Sequence, residues 1–116
     1  MIASPAEVAE RQLVCYNQRQ LDAFCECFAD DAQIFELGAT SPSVAGKPAI
    51  RERYRDLFNL SPDLNCKVVS RTTLGRVVVD LEHITGRLGS KDVFEIMAIY
   101  EIKRGLIQRV HFVRPG

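Results

Sequence analysis

At 116 residues the chain has the size of one domain built around one hydrophobic core. Apolar residues make up 47% of it and charged residues 26%, a balance that excludes an intrinsically disordered chain. Fifteen acids against fifteen bases leave no net charge, which argues against nucleic acid or an anionic membrane surface as a partner.

No apolar run is long enough for a membrane span. The opening stretch, up to Ser4-Pro5, carries neither the basic nor the apolar region of a secretory leader, so a cytoplasmic location is expected. Cys15, Cys25, Cys27 and Cys66 read as free, mostly buried thiols rather than as disulfides. Cys25 and Cys27 diverge at helical spacing, and the spacing of a zinc site is absent. Neither a metal nor a cofactor is expected.

Ser4, Pro5 and Glu7 mark a helix start with a capping box. Val8, Leu13 and Tyr16 form its apolar stripe, and Gln12 stands one turn before Tyr16 on the same face. A short second helix is predicted from Leu21, Phe24, Cys25 and Phe28, ended by Asp30-Asp31. Gln33 to Leu37 reads as a short strand, followed by a turn-rich loop from Gly38 to Gly46. Pro48 opens a third helix with Ile50, Tyr54, Leu57 and Phe58 on one side, and Ser61-Pro62 stops it. Its charged side, Arg51, Glu52, Arg53 and Arg55, reads as a solvated face.

Four strands should follow: Cys66 to Thr73, Arg76 to Thr85, Val93 to Lys103 and Leu106 to Arg114. Arg104-Gly105 suits a tight hairpin with glycine at positive φ. Helices first and a strand meander afterwards imply a single α+β domain over residues 1–116. Three N-terminal helices would pack on a curved antiparallel sheet, a cone-shaped α+β barrel enclosing a pocket. Val93 to Lys103 would run for roughly 35 Å, too long for three helices to cover solidly. The other face of that strand is apolar too, so a second copy is the expected cover and a homodimer the expected state.

The stretch Asp22-Ala23-Phe24, then Cys27-Phe28-Ala29-Asp30-Asp31-Ala32, resembles the helix-hairpin signature of the nuclear transport factor 2-like superfamily. Gly46-Lys47-Pro48-Ala49-Ile50-Arg51-Glu52 resembles the start of its third helix. Ile99-Tyr100-Glu101-Ile102 through Gly105-Leu106-Ile107 resembles its last hairpin. The branch implied is that of ketosteroid isomerases and SnoaL-like polyketide cyclases. Because this scaffold hosts enzymes, carriers and assembly modules, the resemblance speaks to fold more than to activity.

Carried over by position, the resemblance places Glu36 where ketosteroid isomerases hold their general base. Gln12 stands at the place of their oxyanion-binding tyrosine, and Ala98 at that of their neutral aspartic acid. Tyr54 matches a supporting tyrosine. With both strong oxyanion donors replaced, a steroid isomerase would lose a factor of about 100 to 1000 in rate for each. Tyr16, one turn along, is a possible substitute, and His111 is the histidine placed nearest the expected cavity. His83 reads as a packing residue; Asp80 and Glu82 share a face and could add acid to the site, though a solvated or interface-paired role is the leading reading.

Two readings follow. In the first, the chain binds or transforms a small hydrophobic molecule carrying a carbonyl or hydroxyl. Its chemistry would be cofactor-free proton transfer with Glu36 as base and Gln12, Tyr16 or Tyr54 contacting oxygen. In the second, it is a non-catalytic ligand-binding or dimerisation module of the same fold.

Overall fold

Ser4 caps the first helix as its sequence dictates. Its hydroxyl accepts from the Glu7 amide at 3.2 Å, while its own amide donates to the Glu7 carboxylate at 2.9 Å. This computed structural model describes residues 2–116. The elements in order are α1 (Pro5–Asn17), α2 (Leu21–Glu26), β1 (Phe28–Glu36), β2 (Val44–Ala45), α3 (Lys47–Asn59), β3 (Asn65–Leu74), β4 (Val77–Thr85), β5 (Phe94–Lys103) and β6 (Leu106–Val113). A single 3₁₀ turn, Arg87–Gly89, interrupts the link from β4 to β5.

The three helices pack on one six-stranded sheet of order β2-β1-β6-β5-β4-β3. Two features refine the expected curved antiparallel sheet of a cone-shaped barrel. The β1–β6 pair is parallel, so the sheet is mixed. Its terminal strands β2 and β3 do not pair, so it stays open. The α+β architecture is otherwise the one expected.

Two boundaries also differ. Phe28 begins β1 instead of ending the second helix, because the Cys27 carbonyl accepts from the Ile107 amide at 2.8 Å and Phe28 registers opposite Ile107. Tertiary strand pairing here overrides a helical spacing of apolar residues. The loop after β1 turns back to form β2, with the Ser43 amide donating to the Ile34 carbonyl at 2.7 Å. The β5–β6 hairpin turns on Arg104 and Gly105, both at positive φ (55° and 76°). At Gly86 a Cβ would overlap the Asp63 backbone, so only glycine fits that close approach.

The core lies between helices and sheet. Val8, Phe24, Phe28, Ile50, Ile102 and Ile107 are essentially inaccessible. Phe24 stands at its centre, with ring centroids 4.5 Å from Tyr54 and 5.2 Å from Phe28. The C-terminal end of α1 is pinned to β3: the Asn17 side chain donates to the Cys66 carbonyl at 3.0 Å and accepts from the Cys66 amide at 2.7 Å. All four cysteines are buried free thiols.

Candidate functional site

The packing is not solid throughout. A cavity of about 270 Å³ lies under the helices, at the end of the sheet where β4 and β5 approach the 3₁₀ turn. From α1 it takes Gln12, Leu13 and Tyr16, and from α3 Arg53, Tyr54, Asp56 and Leu57. Cys66, Glu82, Ile84, Phe94, Ile96, Tyr100 and Phe112 supply the sheet wall. Leu60, Arg87, Leu88 and Arg114, all exposed, border the opening.

Strand alternation decides which carboxylates face inward. In β4 the buried residues are Val78, Asp80, Glu82 and Ile84, with Val77, Val79, Leu81 and His83 on the outer face. Two acids therefore stand two apart on one buried face, and their surroundings separate them. Asp80 is held by Arg71 through two bonds of 2.7 and 3.0 Å, and Arg71 also reaches Glu10 at 3.0 Å. Glu82, 5% exposed, has no ion pair among the described residues and looks into the cavity.

Burial raises the Glu82 carboxyl, and the neighbouring charge of Asp80 raises it further, to about 7. Hydrogen bonds from Tyr100 and Cys66 oppose this only in part. The Tyr100 hydroxyl lies 3.4 Å from both the Glu82 carboxylate and the Gln12 side-chain oxygen, a long contact in each direction. Burial likewise pushes the Cys66 thiol far up, so it is a proton donor and not a thiolate.

Tyr16 and Tyr54 add two phenols, with rings 6.4 Å apart. Burial raises both, Tyr54 to about 12, so both hold their protons at neutral pH. Neither hydroxyl has a hydrogen-bond partner among the described residues, and no buried polar side-chain atom there is left unsatisfied. Both hydroxyls are therefore open to the cavity. The result is a chamber of mixed apolar and polar lining with one buried carboxyl raised toward neutrality and two free donors.

Of the residues nominated from sequence, Gln12, Tyr16 and Tyr54 line this chamber. Gln12 is 8% exposed despite its polarity. Glu36 is not part of the lining. Its carboxylate takes two bonds from Arg114, at 2.6 and 3.2 Å, and its side chain is 42% exposed. Ala98 faces inward but is fully covered, in register between Asp80 and Phe112. His111 points to the opposite face of the sheet, where its ring stacks on Phe35 at 4.9 Å. The turn-rich loop after β1 forms no lid over the opening, since its residues are absent from the lining.

The sequence reading did not nominate Tyr100 or Arg87, set Glu82 with Asp80 as a solvated or interface-paired couple ahead of a site role, and placed Arg53 on a solvated face. A signal was present in β4: two acids on the same face as Val78 and Ile84 are costly to bury without a purpose or a partner. The pairing with Arg71 that separates Asp80 from Glu82 is tertiary and has no local signature.

An α+β layer with a chamber between three helices and an open mixed sheet defines a pocket fold of the nuclear transport factor 2-like kind. Residues 9–110 match the SnoaL-like domain model, and the chain belongs to that family. No curated protein sequence matches it. Among solved structures, it is similar to an uncharacterised cystatin-fold protein from Novosphingobium aromaticivorans, at 24% identity and TM-score 0.87, covering 97% of this chain and 99% of the other. A Kribbella flavida protein provisionally assigned as a ketosteroid isomerase is 19% identical, with TM-score 0.81 over 97% and 78% of the two chains. A Sinorhizobium meliloti protein provisionally assigned as a polyketide cyclase is 20% identical, with TM-score 0.77 over 91% and 93%. Identities this low establish the fold alone. No described helix is long and apolar enough to cross a membrane.

Proposed function

We propose that the chain binds a small hydrophobic molecule bearing a carbonyl or hydroxyl and moves a proton on it without a cofactor, with Glu82 in place of Glu36 as the exchanging group. The observation that carries this reading is the buried, unpaired Glu82 carboxyl in a chamber with free tyrosine hydroxyls. A carboxyl that titrates near neutrality is half ionised there, so one form accepts a proton while the other returns it. The Glu82 carboxylate would take a proton from carbon beside the carbonyl. The Tyr16 or Tyr54 hydroxyl would donate to the oxygen on which negative charge develops. Return of the same proton to a different carbon is isomerisation. Attack of the enolate on a second carbonyl is cyclisation, and loss of a β-hydroxyl is dehydration.

The test is proton exchange, which needs no knowledge of the final product. Enolisable cyclic ketones incubated with the protein in deuterium oxide should gain deuterium beside the carbonyl, as read by NMR. Glu82→Gln should abolish the gain. No exchange across the panel, or exchange unchanged in Glu82→Gln, would remove Glu82 as the base and leave the binding-module reading.

The outer sheet face supports a homodimer. Phe35, Val79, Leu81, Met97 and Ile99 leave it apolar and only half covered. Beside them Glu101 is flanked by Arg76 and Arg109, at 3.4 and 3.3 Å, a mixed pattern that a second copy can complement. A mass that stays monomeric at all concentrations in analytical ultracentrifugation would defeat this.

A further inference from the structure

Three guanidinium groups border the cavity: Arg53 from α3, Arg87 from the 3₁₀ turn and Arg114 just after β6. In a chain whose charges cancel overall, their local balance decides what the opening attracts. Arg114 is paired with Glu36 at 2.6 Å. Asp56, the acid at the same border, is paired with Arg55 at 3.5 Å. Among the described residues Arg53 and Arg87 have no carboxylate partner. Two cations are thus left uncompensated at the outer end of the chamber, while Glu82, Gln12 and Tyr100 stand at its buried wall.

The aromatic wall holds one of these charges in place. Arg87 lies over the Phe94 ring, 5.8 Å from its centroid, against the apolar lining. The guanidiniums of Arg53, Arg114 and Arg87 all oppose the rise that burial gives the Tyr54 phenol, so their fields meet in one part of the cavity.

We propose that the chamber selects an amphipathic organic anion, with a carboxylate held at the opening by Arg53 and Arg87 and an apolar body ending in an oxygen at the buried wall. This rests on the reading of the chamber as a pocket for a small apolar molecule and narrows its substrate class. A planar carboxylate matches the fork of a guanidinium, and the apolar body satisfies Leu57, Phe94 and Ile96. The polarity of the site also fixes direction: an inverted ligand would bury its anion beside the Glu82 carboxyl, away from Arg53 and Arg87.

The probes are para-hydroxycinnamate and its alcohol, para-hydroxycinnamyl alcohol, which differ only in the anionic end. Calorimetric titration of the full chain at about pH 6 keeps the probe ionised and Glu82 mostly protonated. At low ionic strength the anion should bind about tenfold more tightly than the alcohol. That preference should shrink as salt shortens the screening length to about 8 Å or less. It should vanish in Arg53→Gln/Arg87→Gln, two exposed positions whose replacement should leave the circular dichroism spectrum unchanged. Equal binding of anion and alcohol, or a preference that survives in the double variant, would overturn the charge selection and leave the pocket standing. Failure of both probes to bind would overturn this inference together with the pocket reading beneath it.

Discussion

The inner face of the sheet has a filled end and a hollow end, and the same strands run through both. At the filled end Val78 of β4 and Ile102 of β5 meet Val8, Phe24, Phe28 and Ile50, with almost no accessible surface. A few residues along the same strands, Glu82, Ile84, Phe94 and Ile96 border open space. What differs is the cover: Phe24 of α2 and Phe28 at the start of β1 fill one end, whereas side chains of α1 and α3 border open space at the other. The filled end supplies cohesion, and the hollow end can then hold a carboxyl in a medium that keeps its proton.

That contrast predicts a graded response to mutation. The largest effect belongs to Phe24→Ala at the filled end, which should cost about 3–5 kcal/mol in urea denaturation and leave a void that helices cannot close. A loss under 1 kcal/mol would mean that cohesion is spread evenly and the contrast is false. Next comes the pH dependence of the hollow end. The folded pKa of Glu82, about 7, lies above its ordinary value of 4.5, so the folded state binds this proton more tightly than the unfolded state. Its contribution is complete below about pH 4.5 and is lost as pH rises to about 7, roughly 3 kcal/mol in all. Glu82→Gln should remove that decline and leave a variant more stable than the parent above pH 7. Parallel stability–pH curves for the two proteins would show that Glu82 is solvated. The smallest effect is expected from Glu36→Gln, because an exposed pair with Arg114 is worth only about 0.2–1 kcal/mol. It should leave ketone exchange unchanged.

Much of the filled end was legible in the sequence. The capping box, Val8 of the α1 stripe and the β5–β6 turn each depend on residues close in the chain. The hollow end was legible only on its helical side, where Gln12, Tyr16 and Tyr54 follow from helical periodicity. Its sheet side was not, because Glu36 and Glu82 are both inward positions on strands and only their cations separate them. Arg114 draws Glu36 to the edge, and Arg71 is taken up by Asp80, leaving Glu82 alone. Those choices lie 78 and 9 residues apart in sequence. The charged side of α3 is solvated as read, Arg53 included, but its place at the border of an opening formed by β4, β5 and the turn between them depends on tertiary packing that has no local signature.

The Asn17 side chain, joined to both the amide and the carbonyl of Cys66, occupies the place that another strand would take beside β3. A register break between Val68 and Ser70 disturbs the same margin further on, and at the far side β2 is only two residues long. The folded ladder therefore offers little template for lateral growth, and its margins are guarded against stacking into fibrillar assemblies.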